Sequence, residues 1–255
     1  MKINWFKYAA PMNFYSLAGR LIPLFWLAAI ALIAIGLYWG FFKTADVLSD
    51  QKQYYRIIFV HVASAWMAMW LYAVMVGWAM IGLIFNTRLS YMMASATAIT
   101  GTFMTIIALA TGAIWGKTSW GTWWDWDPKL TSFLILLFVY IGYIALQSAI
   151  DDTRRSDKAS ALLALVGLAL VPIIYYAVNC PDPNECASLH QESSLKRVES
   201  NILIAMLITT LGFWMYSFAT IFMRARIIIL ERERNTTWVS NLKEVRHSSN
   251  AGRDQ

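Results

Sequence analysis

The sequence predicts an all-α, polytopic membrane protein: six transmembrane helices forming a single domain over residues 1–255, with a short tryptophan-rich helix or loop at one surface. Three observations carry this. Of 255 residues, 58% are hydrophobic and only 14% are charged, against roughly 25% charged in an average soluble domain. The mean hydropathy is +0.49. Six apolar runs, at 21–42, 57–85, 93–114, 130–150, 160–179 and 201–223, are each long enough to cross a hydrocarbon core of roughly 30 Å. No water is available there to bond the backbone, so each run should be helical. The net charge of +6 then concerns sidedness, and nucleic acid is not an expected partner.

The first run, 21–42, is too long for the apolar part of a leader and lacks a small-residue cleavage site, so it reads as a retained span. The second, 57–85, exceeds what a bilayer needs and should tilt or project beyond it. Beyond the sixth run, residues 224–255 should prolong the helix and then become a polar tail. An even number of spans places both termini on one side. That side carries twice as many Lys and Arg as the other, including Arg154, Arg155, Lys158, Arg224 and Arg226. The bias predicts cytoplasmic termini and external loops at 43–56, 115–129 and 180–200.

The external loop 115–129 holds Trp115, Trp120, Trp123, Trp124 and Trp126, five of the chain's 13 Trp, beside Asp125 and Asp127. An interfacial aromatic belt accounts for one or two Trp per helix end. The alternative is a platform for a flat aromatic ligand. Trp120, Trp123, Trp124 and Asp127 have the spacing of one helical face, so a short surface helix would present an indole wall. Asp127-Pro128 also has the chemistry of a helix start, with Asp at the N-cap and Pro at the first helical position.

Two of the three His fall on the same external side: His61, about one turn inside the second span, and His190, in the last external loop. An ionisable residue within a span marks a ligand, a pathway or a hydrogen-bonded partner. Two imidazoles at one membrane face can supply both axial ligands of a haem iron. Arg56 and Lys129 lie at the same boundary, where they could pair with haem propionates or simply anchor the interface. The third, His247, reads as a solvated tail residue.

Other patterns are excluded by spacing. Gly112, Gly116, Lys117 and Thr118 resemble a phosphate loop, but the first Gly is one residue too close. No ATPase motif is present, and the chain is not expected to be a classical enzyme. Cys180 and Cys186 form neither a Cys-x-x-Cys pair nor a covalent haem-attachment motif. A local disulfide, free thiols or a metal site with His190 remain open for them.

The run Trp115-Gly116-Lys117 with Trp120-Gly121-Thr122-Trp123-Trp124-Asp125-Trp126-Asp127 resembles the signature of the WWD superfamily of haem-handling proteins. Tyr55-Arg56-Ile57-Ile58 with His61, Asp151-Asp152, Pro172-Ile173-Ile174 and Leu189-His190-Gln191 resemble its CcmC family, over nearly the whole chain. The resemblance implies non-covalent haem b held at the periplasmic face by His61 and His190 as axial ligands. It implies a platform of Trp115, Trp120, Trp123, Trp124, Trp126 and Asp127. It also implies delivery to the periplasmic haem chaperone CcmE during c-type cytochrome biogenesis, beside the CcmA/CcmB ABC-type complex and the small membrane protein CcmD. The competing expectation is a permease subunit of an ABC-type haem exporter, which should line the middle of several spans with polar groups. Thr97, Thr100, Thr102 and Thr105 are the candidates for such a lining, and they fit helix packing as well.

Overall fold

The computed structural model describes residues 5–44, 52–178 and 198–242. Its helices are α1 (Pro11–Phe42), α2 (Ile58–Phe85), α3 (Arg88–Trp120), α4 (Pro128–Ala149), α5 (Thr153–Gly167), α6 (Leu170–Val178) and α7 (Ser200–Arg232), and single 3₁₀ segments precede α1 and α2. No strand occurs among the described residues. Six helical segments are long and apolar enough to cross a membrane, the fifth being α5 and α6 taken together. The expected spans are therefore all present, and most are longer than expected. α1 begins at residue 11, the fifth span at Thr153, and α7 continues to Arg232. The apolar runs mark only the hydrocarbon-crossing part of each helix, whereas intrahelical hydrogen bonding continues through the polar ends.

Local chemistry sets the ends. Asp127 caps α4, its carboxylate accepting the Leu130 N–H at 2.6 Å, and Pro128 occupies the first turn. Asp152 caps α5 in the same way through the Arg155 N–H at 2.7 Å. Asn86 ends α2 and Gly121 ends α3, both in the left-handed region (φ 54° and 79°). The fifth span breaks where Pro172 offers no N–H to the Leu168 carbonyl, which accepts instead from Val171 at 3.2 Å.

The α2–α3 hairpin is the centre of the bundle. α4 and α5 pack on one side of it and α7 on the other, with α1 outermost against α7. Buried tyrosines cross-link the helices by donating to carbonyls: Tyr72 to Ala164 O (2.9 Å) and Tyr140 to Ala68 O (2.9 Å). Their rings meet edge to face at 5.0 Å. Thr97, Thr102 and Thr105 each donate to the carbonyl four residues back, at 2.7, 2.8 and 2.7 Å. These three hydroxyls are bonded within their own helix, while the fourth candidate, Thr100, meets the Thr220 hydroxyl of α7 at 3.2 Å. α1 turns Leu24, Leu27 and Ile30 outward, each more than half exposed, as suits a helix facing lipid.

Of the two forms open to the tryptophan-rich segment, helix or loop, the structure takes the loop. α3 runs on through Trp115 to Trp120, and 121–127 is irregular. Gly121 stops one helix and Asp127-Pro128 starts the next, which leaves too few residues between them for a helical turn to pay its nucleation cost. α7 does run on past residue 224, and the tail after it opens with a further short helix. Residues 237–242 are helical, Val239 is buried, and Trp238 packs against Tyr15 at 5.7 Å while its indole N–H donates to Glu233 at 2.7 Å. His247 lies outside the described residues.

Candidate functional site

α2 begins, and α3 ends, at the same end of the bundle. His61, one turn into α2, therefore faces the last turns of α3. Its Nδ1 lies 3.0 Å from the Ala108 carbonyl and 3.0 Å from the Thr111 hydroxyl. A carbonyl can only accept, so Nδ1 carries the imidazole proton and Nε2 carries the lone pair. The Thr111 hydroxyl donates to Ile107 O at 2.6 Å, which leaves its oxygen able to accept from the same imidazole N–H. A backbone carbonyl holding one ring nitrogen fixes both tautomer and orientation, as in many sites where the other nitrogen ligates a metal.

Gly112 makes room for this ring. A Cβ built there would lie 3.0 Å from His61 Cε1, closer than ordinary packing allows. Gly112→Val should therefore displace the imidazole. The expected result is roughly tenfold less ligand retained at His61, the low end of losses seen when a ligand's supporting contacts are removed. Gly77→Val is the control, because a Cβ there meets nothing within 4 Å. Equal retention by the two purified variants would mean that the seat at Gly112 is irrelevant.

Below His61 the helices leave a narrow cavity of about 40 Å³, lined by His61, Trp115, Trp120, Trp124, Lys129 and Phe133 together with small or aliphatic residues of α2, α3 and α4. Its makeup, an apolar wall with few polar groups, is that of a small-molecule site. Trp115 is buried, and its ring meets Trp120 at 5.2 Å and 60°. Gly116 lets Trp120 fold back over α3, since a Cβ there would stand 3.3 Å from the indole. Lys117 donates to Gly121 O at 3.0 Å and closes the end of α3. Thr122 bonds the Trp124 carbonyl at 2.8 Å, which holds the irregular segment so that Trp124 lies in the cavity wall. The Trp124 indole N–H is buried with no hydrogen-bond partner among the described residues. Such an orphaned donor in an apolar wall suits a ligand bearing an acceptor.

The structure thus divides the residues singled out in the sequence. It brings His61, Trp115, Trp120, Trp124 and Lys129 together around one cavity. Trp123 and Trp126 are 59% and 74% exposed and face outward. Asp127 is buried as the α4 cap, which favours its structural role. Arg56, in the 3₁₀ segment leading to α2, is part-buried and does not line the cavity. His190, Cys180 and Cys186 lie outside the described residues. The sequence assigns no role to Ala108 and Thr111, and shows Gly112 only as part of a failed phosphate loop. The available signal was their helical spacing with Trp115, a stripe of small residues leading to the first indole.

The fold and cavity define a class: a six-span helical protein carrying an indole-walled cavity, with one oriented imidazole, at one end of its bundle. The chain belongs to the CcmC family, heme exporter protein C, whose profile matches residues 4–240. It is 40% identical over 239 residues to the heme exporter protein C of Escherichia coli (strain K12), covering 92% of this chain and 94% of that protein. It is 37% identical over 231 residues to the protein of that name from Paracoccus denitrificans (89% and 93% covered). It is 33% identical over 243 residues to that from Haemophilus influenzae (93% and 96% covered).

Proposed function

We propose that the chain holds non-covalent haem b in this cavity and passes it to the periplasmic haem chaperone CcmE during c-type cytochrome biogenesis. The observation that carries the reading is the His61 imidazole, its proton fixed on Nδ1 by Ala108, at an indole-lined cavity. The names of its relatives, heme exporter protein C, point the same way.

In this reading His61, through Nε2, and His190 would hold the haem iron. Trp115, Trp120 and Trp124 would cover the macrocycle. Lys129, with Arg56 nearer the surface, pairs with the propionates, and the Trp124 N–H supplies a further donor. Bound haem would supply an iron centre with two neutral nitrogen ligands. The protein's own part is to orient the imidazole, exclude water and keep the ring reachable from one side. The exposed Trp123 and Trp126, with Asp125 between them, are then the surface met by CcmE. CcmA/CcmB and CcmD are the expected membrane partners. The permease alternative needs a polar path through the spans, and of the four threonines that could form one, Thr97, Thr102 and Thr105 bond their own helix while Thr100 pairs with Thr220.

The test is the yield of covalently haem-loaded CcmE in cells expressing the chain, with and without His61→Ala. Loading that survives the substitution at normal chain levels would sink the proposal. The charge bias adds a sidedness prediction. A reporter after Gln255 should be active only in a cytoplasm-active form, and one inserted at Asp125 only in a periplasm-active form. The reverse pattern would put the cavity on the wrong side for CcmE.

A further inference from the structure

At the end of the bundle opposite His61, the α2–α3 turn, the start of α5 and the end of α7 border a second cleft, of about 520 Å³. Its lining is polar where the first cavity is apolar. Three guanidinium groups border it, from Arg88, Arg154 and Arg232. Two carboxylates, Asp157 and Glu233, lie there too, but both are engaged. Asp157 forms a two-pronged ion pair with Arg232 at 2.8 and 2.8 Å, and Glu233 accepts the Trp238 indole N–H at 2.7 Å. Gln147 completes the buried pair, accepting from Arg232 at 3.0 Å. Three guanidinium groups against two carboxylates leave the cleft one positive charge in excess, and neither Arg88 nor Arg154 makes an ion pair among the described residues.

One further feature favours an anion, although the Asp152 carboxylate already caps the α5 start beside Thr153. Tyr91 lines the cleft and is 4% exposed, and its hydroxyl has no hydrogen-bond partner among the described residues. A buried hydroxyl without a partner is costly unless a ligand supplies one. The ring itself is fixed against Gly82, where a Cβ would approach it to 2.8 Å.

We infer that this cleft binds a phosphate-bearing anion, whose oxygens are met by Arg88, Arg154 and the Tyr91 hydroxyl. Arginine suits that role because its planar fork matches two phosphate oxygens at once. The cleft is larger than a bare phosphate needs, and it sits where α2 leaves and α3 enters the apolar layer. Its phosphate can therefore come from an anionic lipid headgroup of that leaflet or from a soluble phosphate ester. The inference is independent of the haem reading, since no residue is shared between the two cavities.

The experiment titrates the purified full chain, in neutral detergent, with dioleoyl phosphatidylglycerol under native mass spectrometry. Dioleoyl phosphatidylcholine is the comparison and inorganic phosphate the competitor. Preferential retention of phosphatidylglycerol is expected. Arg88→Gln and Arg154→Gln should each weaken it about tenfold, the scale of one charge-assisted hydrogen bond, and Tyr91→Phe should weaken it severalfold. Both arginines are exposed, so these variants should fold. Arg155→Gln, on the same helix but outside the cleft, should bind like the parent. Displacement by inorganic phosphate assigns the site to a soluble ester, and resistance to displacement assigns it to lipid. Parental binding by both Arg88→Gln and Arg154→Gln would overturn the inference. So would an equal loss in Arg155→Gln, or a parent that retains neither phosphatidylglycerol nor phosphate.

Discussion

Replacing His61 by Gly is expected to lower haem affinity by roughly 100-fold or more, since loss of even a ligand's supporting partner costs 10–100-fold. The chain should still insert and fold. His61 packs against Gly112 at the end of α3, away from the tyrosine cross-links of Tyr72 and Tyr140 that tie α2 to its neighbours. Free imidazole should restore much of the loss, because the Ala108 carbonyl and the Thr111 hydroxyl that receive the ring nitrogen remain in place. Haem titration of the purified variant, with and without imidazole, is the measurement. An affinity equal to that of the parent would remove His61 from the ligand set. A loss that imidazole cannot rescue, with membrane levels unchanged, would point to packing instead of ligation.

The second large effect separates the indoles that line the cavity from those that face outward. Trp120→Ala with Trp124→Ala strips two walls of the cavity. Ring contacts alone are worth about 0.5–1.5 kcal/mol each, so the double variant should bind haem roughly 5–150-fold more weakly. Trp123→Ala with Trp126→Ala removes two exposed indoles that do not line the cavity. That variant should keep parental haem affinity while the yield of loaded CcmE falls. Haem titration and CcmE loading, measured on both, give opposite patterns if the division is right. If both pairs behaved alike in both assays, the tryptophans would be one undivided belt.

The sequence made the six spans legible because apolar length is a direct consequence of bilayer thickness. It also exposed the α4 start, since Asp127-Pro128 has few other uses at a helix boundary. The break near Pro172 is missed, since the run 160–179 reads as one helix despite the missing N–H, and so is the close approach of Tyr72 at Gly167 that accompanies it. The candidate site was only half visible. His61 and the tryptophans stand out by type, but which indoles turn inward depends on where α3 ends. Helical spacing grouped Trp120, Trp123 and Trp124 on one face. Gly121 ends the helix after the first of them, so the grouping failed, and Trp115, one helical turn earlier, joined Trp120 instead. Ala108 and Thr111 were hidden because small and hydroxyl residues in a span ordinarily signal packing. Their role appears only when α2 is laid against α3.

The central claim is that one end of this bundle holds haem iron between imidazoles. The most direct measurement is the absorbance and magnetic circular dichroism of the purified full chain, oxidised and reduced, beside those of His61→Ala. The account predicts a low-spin, six-coordinate, bis-imidazole haem in the parent and loss of that signature in the variant. A parental spectrum unchanged by His61→Ala, or one without nitrogen ligation in either protein, would contradict it.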